Sequence, residues 1–152
     1  MLDMKFGNHS NTHPHVNSLT YEKNIQQINE CNDKIKKLTQ TEAKLYRCPY
    51  GEYNNTVLTA CKDSGFYAIQ WNIDTLDYEG LTGDEMWKRL ELKLANGSII
   101  LSHNGTKNTA NSLDMLLRNI KNKGYEIVKV SDLIYKDSYS INNNGTQISN
   151  NE

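Results

Sequence analysis

Apolar and polar positions alternate along this chain in two different rhythms. From Leu19 to Leu38 the apolar residues Ile25, Ile28, Cys31, Ile35 and Leu38 recur every three or four positions, the period of an amphipathic helix. Ser18 and Thr20 are candidate N-caps for it. Asn54–Ser64 predicts a second helix closed by Gly65, Gly83–Leu94 a third ended by Asn96-Gly97, and Ala110–Lys123 a fourth stopped by Gly124. Between them lie short apolar or β-branched runs that read as strands: Ala43–Tyr46, Phe66–Ile73, Ser98–Leu101 and Tyr125–Val130. Ser131 is placed to cap a last short turn over Asp132–Tyr135. Helices and strands that take turns predict βα units, a largely parallel sheet and an α/β fold.

The remaining stretch, residues 138–152, is rich in Ser, Asn, Gly and Thr and is expected to be loosely ordered. Residues 1–137 then form one domain with a tail. The length of 152 residues suffices for a core. It falls short of a complete (β/α)8 barrel, which takes roughly 200 residues or more. Lys and Arg number 17 against 18 Asp and Glu, a net charge of -1, which gives no electrostatic footprint for nucleic acid or an anionic membrane. Mean hydropathy is -0.72, and no apolar run approaches the ~18 residues of a membrane span. Met1–Gly7 lacks the basic-then-apolar pattern of a signal peptide. Cys31, Cys48 and Cys61 lack CxxC spacing and read as free, buried or half-buried thiols. The Asn clusters at 54–55 and 142–144 read as compositional bias.

The chemically interesting residues fall where strands should end, the edge at which parallel α/β folds collect their chemistry. His9 and His13 flank Ser10-Asn11-Thr12 and precede Pro14. Two imidazoles four residues apart in a loop can meet one metal ion, and His15 adds a third ring nearby. Arg47-Cys48-Pro49-Tyr50-Gly51 is a sharp turn that can aim backbone N–H groups at an oxygen. Trp71-Asn72-Ile73 runs into Asp74 and Asp77, two carboxylates beside Tyr78. Leu101-Ser102-His103 places an imidazole, a potential general acid or base, just past an apolar strand.

Taken in this order, His9-Ser10-Asn11-Thr12-His13-Pro14, Arg47-Cys48-Pro49-Tyr50-Gly51, Asp74-Thr75-Leu76-Asp77-Tyr78 and Leu101-Ser102-His103 resemble four motifs of the polysaccharide deacetylases of the NodB-homology group, carbohydrate esterase family 4. Arg47–Tyr53 and Leu133–Asp137 look most like its sporulation and cell-wall branch. Cys48 stands where Pro is usual, and Tyr78 where Trp is usual. The resemblance implies a distorted (β/α) barrel of the NodB type. It implies a hydrolase of carbon–nitrogen bonds other than peptide bonds, which removes acetyl groups from an N-acetylated glycan such as peptidoglycan or a chitin-like polymer. A divalent metal, usually zinc, would be held by His9, His13 and an Asp, and its water would attack the acetamide carbonyl. The Tyr50 N–H matches the oxyanion donor, His103 the general acid and Asp74 the carboxylate that pairs with it. Arg47 matches the arginine that orients the base, and Leu101 and Trp71 are candidates for the acetyl pocket. An extracytoplasmic, cell-envelope location follows from the family.

The family's opening Thr-Phe-Asp-Asp segment, which supplies the general base and the third metal ligand, has no counterpart before His9. Asp3 is the sole carboxylate there. The expectation is the C-terminal portion of a deacetylase domain, short of its first strands; the alternative is a non-catalytic glycan-binding module or truncated remnant of the family. A generic α/β domain is the third reading.

Overall fold

A computed structural model describes residues 4–151; Asp3 lies outside the described residues. Two compact units are present: one spans residues 4–70 and 134–151, the other residues 71–133.

The first unit carries the helix α1 (Tyr21–Thr39), whose N-cap is Thr20: its hydroxyl accepts from the Lys23 N–H. Ser18 instead donates to the His15 carbonyl. Strands β1 (Leu45–Arg47) and β2 (Tyr67–Ile69) pair in parallel, and α2 (Asn55–Asp63) connects them. Asn54 caps α2 by accepting from Val57 N–H, and Gly65 ends the turn at φ +77°, as its place after the helix predicts. Asn8 forms a parallel bridge to Tyr46, with N–H···O distances of 2.8 and 2.9 Å. The core beneath consists of Val16, Ile28, Ala43, Tyr46, Cys48, Val57, Cys61 and Phe66, where one face of α1 and α2 meets the strands.

The second unit has β3 (Ile73–Asp74) parallel to β4 (Ile100–Leu101), with α3 (Gly83–Glu91) between them and α4 (Thr109–Asn122) following. Thr82 and Glu85 form a reciprocal capping box at the start of α3. Ile73, Met86, Leu90 and Leu116 make its core. An apolar cleft of about 560 Å³ opens beside Ile100, Leu116, Ile120 and Ile127.

Four expectations need correction. The run Phe66–Ile73 is two strands in two separate sheets, because the chain leaves the extended conformation at Gln70-Trp71-Asn72. Tyr125–Val130 has strand composition but forms no named strand among the described residues; Tyr125–Val128 and Val130 line the apolar cleft. Ser131 lies inside α5 (Val130–Leu133) rather than capping it. Residues 138–152, expected to be loose, contain the antiparallel hairpin β5 (Tyr139–Ile141) and β6 (Gln147–Ser149). The Asn cluster has a structural reason there. Asn142 Oδ1 accepts from the N–H groups of Asn144 and Thr146, closing the turn. Among the described residues no helix is long and apolar enough to cross a membrane.

Candidate active site

In the first unit, the loop after Asn8 is built by side chains that replace a regular ladder. Buried Asn8 donates to the Ile28 carbonyl and accepts from the Ser10 N–H, which turns the chain at once. Gln27 Oε1 on α1 accepts from the N–H groups of Asn11 and Thr12, and Ser10 Oγ accepts from the His13 N–H. Ser10 and His13 adopt φ of 66° and 56°. The loop conformation before Pro14 thus follows the expectation, with His13 in the left-handed region.

This clamp sets the His9 and His13 rings edge to face with centroids 4.9 Å apart. The Arg47 carbonyl can only accept, so the His9 Nδ1 bonded to it carries a proton, which fixes the orientation of the ring. Two imidazoles of that kind suit a borderline metal, but a catalytic zinc takes three protein ligands. Among the described residues no group of three His, Cys, Asp or Glu could hold a metal ion. The described residues therefore do not complete a catalytic metal centre by themselves.

Tyr50 sits at φ 56°, ψ 7° in a 3-10 turn over Pro49–Gly51. A left-handed non-glycine residue costs on the order of 1–3 kcal/mol and persists where its surroundings over-determine it. Here the Gly51 N–H closes onto Cys48, Glu52 N–H onto Pro49, and Gln70 donates to the Gly51 carbonyl. These bonds leave the Tyr50 N–H unused by the turn. The Tyr50 ring lies between His13, edge-on at 4.6 Å, and His15, stacked at 4.2 Å. His15 Nδ1 meets Glu52 Oε1 at 2.6 Å, and that hydrogen bond holds the Glu52 carboxyl below its usual range. Arg47 is half-buried at the end of β1, and burial pulls its guanidinium below the ordinary value.

In the second unit the structure pairs His103 with Asp77, not with Asp74. His103 Nδ1 lies 2.8 Å from Asp77 Oδ1, and His103 N–H donates to Asp77 Oδ2 at 2.6 Å. Thr109 Oγ1 donates to the same oxygen at 2.7 Å. Asp77 is 1% exposed. Burial pushes its carboxyl up, but the three hydrogen bonds from His103 and Thr109 outweigh it and hold the group below the usual carboxylate range. The Nδ1–H is thus directed at the carboxylate, which fixes the orientation of the ring. Asp74 Oδ1 is instead occupied by the Leu76 N–H at 2.9 Å. Leu76, at φ 53°, turns the chain so that the next residue, Asp77, begins a 3-10 turn and points inward. The reason for the correction is local: Asp74 ends β3, and only Asp77 lies past the left-handed residue. Tyr78 packs edge-on against His103 at 5.3 Å. Leu101 is buried on β4, its carbonyl accepting from Thr75, and Trp71 is half-buried just before β3.

Thr109 and Glu52 are the contributors that sequence reasoning missed. Neither lies in a motif, although Glu52 directly follows the Arg47–Gly51 turn.

A profile of the polysaccharide deacetylase family matches residues 2–69. The chain is 33% identical over 118 residues to a bifunctional xylanase/xylan deacetylase from Cellvibrio japonicus, covering 77% of this chain and 18% of that protein. It is 31% identical over 127 residues to the peptidoglycan-N-acetylglucosamine deacetylase PgdA of Listeria monocytogenes, covering 84% and 27%. A wild-type CE4 family pseudoenzyme from Bacillus anthracis superposes with a TM-score of 0.80 at 28% identity, over 84% of this chain and 45% of that one. A mutant described as having restored enzymatic activity gives 0.82 at 28% identity, over 86% and 48%. This chain belongs to the polysaccharide deacetylase family. Its α/β fold is that of the NodB-type structures over the matched part, which removes the generic α/β reading. The chain spans between 18% and 52% of the length of the first four curated relatives.

Proposed function

We propose that this chain serves the removal of acetyl groups from an N-acetylated cell-wall glycan, peptidoglycan or a chitin-like polymer, outside the cytoplasm. The observation that carries the reading is the His103–Asp77 pair. A ring held by a buried carboxylate through Nδ1 presents Nε2 as an acid, and the carboxylate stabilises the imidazolium. In the proposed reaction water adds to the acetamide carbonyl, its proton passing to the family's general base; His103 then protonates the leaving amine nitrogen as the C–N bond breaks, releasing acetate and a free amine. The Tyr50 N–H donates to the oxyanion of the tetrahedral intermediate. Leu101 and Trp71 face the acetyl methyl, and Arg47 takes the place of the arginine that orients the family's general base. His9 and His13 supply two ligands of the family's zinc centre.

The absence of a third ligand among the described residues favours a second reading, a non-catalytic glycan-binding module. The likeness to a CE4 family pseudoenzyme supports it too. Both readings are tested with the folded chain, added zinc and chitotetraose or purified peptidoglycan, by measuring acetate release and glycan binding separately. Release that disappears in His103→Ala supports the deacetylase. Binding without release supports the second reading, and neither binding nor release sinks both.

A further inference from the structure

His15 lies outside the catalytic roles assigned above, yet it makes the closest ring contact with Tyr50. The two rings are nearly parallel, 12° apart, with centroids at 4.2 Å. Both ends of this contact are anchored. Pro14 precedes His15, and Val16, fully buried, follows it. The far side of the imidazole is tied to Glu52, which also accepts from the Asn17 N–H at 3.5 Å. Glu52 in turn closes the 3-10 turn through its own N–H to the Pro49 carbonyl. His15, Glu52 and the turn carrying Tyr50 therefore form one ring of contacts around a residue held in the left-handed region at φ 56°. Such a conformation needs continuous support from its neighbours. His13 touches Tyr50 only edge-on, at 4.6 Å, so His15 supplies the face.

We propose that His15, held by Glu52, is a positioning residue that fixes the Tyr50 ring and with it the direction of the Tyr50 N–H. It rests on the reading of that N–H as the oxyanion donor, but the contact itself is tested without turnover. In the free protein, His15→Ala is expected to shift the Tyr50 ring resonances and to speed hydrogen exchange of the Gly51 and Glu52 amides by about three- to tenfold, the worth of a lost aromatic pair. His15→Phe keeps a flat ring and should restore exchange to within about twofold, while Glu52→Gln, which weakens the tether, falls between. Exchange along α1 should stay unchanged in all three, which a general loss of stability would not allow. Unchanged Tyr50 resonances and unchanged Gly51 and Glu52 exchange in His15→Ala overturn the proposal, as does failure of His15→Phe to rescue. With chitotetraose, His15→Ala should lower kcat more than it raises KM. Absence of acetate release from the unaltered chain would count against the proposed function alone, with the exchange comparison still deciding the role of His15.

Discussion

Asp74 and Asp77 are the same residue type three positions apart, and the structure gives them opposite surroundings. Asp77 is buried with three donors around its carboxylate; Asp74 serves one backbone N–H of a turn. Because the folded Asp77 carboxyl is held below its usual range, it stabilises the fold above the unfolded value of about 3.9. That contribution is lost as pH falls through the lower folded value. Asp77→Asn should cost about 2 kcal/mol at pH 7, in the range of hydrogen bonds to a charged group. Melting curves at pH 7, 5 and 3 check this: the gap to the unaltered protein should be widest at the first two and narrow at the last. Asp74→Asn keeps a side-chain oxygen for Leu76 and should stay within about 0.5 kcal/mol throughout. The sequence showed two acids at the end of one strand and a histidine at the end of the next. Which of them meets it depends on Leu76 adopting a left-handed φ, which leucine seldom does and no pattern announces.

Helices were the most legible elements, since their period and caps are local. Thr20 caps α1 and Gly65 ends the turn after α2, both where the sequence places them. Strands were less so, because two or three residues carry little pattern and their partners are distant in sequence. Tyr125–Val130 has the composition of a strand, yet no ladder includes it among the described residues. One element contact is decided by a glycine whose role is invisible in the chain. A Cβ on Gly83, at the start of α3, would lie 2.6 Å from Ser112 Oγ and 2.8 Å from Met115 Cε on α4. Gly83→Ala gains helix propensity of up to about 1 kcal/mol. It must push α4 away, and overpacking typically costs about 1–3 kcal/mol. A net loss of stability is expected on thermal or urea unfolding, and Ser112→Gly in the same chain should recover part of it. A stabilised single variant would show that α4 yields freely.

For the molecule as a whole, the telling quantity is how much metal affinity the chain can muster. With His9 and His13 alone, zinc binding should be weak, and 1 mM zinc should raise Tm by no more than about 2 °C. His9→Ala or His13→Ala should remove even that. A much larger shift would mean that a further ligand joins the pair. This separates folding from metal binding, which a complete catalytic centre would couple.

By itself the sequence determined the order of the four longer helices, the Thr20 cap and the Gly65 stop, and the four short motifs that place the chain in its family. Those are local features, set by neighbours a few residues away. Only the tertiary structure decided that Asp77 holds His103, that His9 is oriented by the Arg47 carbonyl, that His15 covers Tyr50, and that residues 139–149 pair as a hairpin. The physical reason is the same in each case. These contacts join residues brought together by backbone turns at Leu76, His13, Tyr50 and Asn142, and a turn's direction depends on the packing that holds it as well as on the residue that makes it.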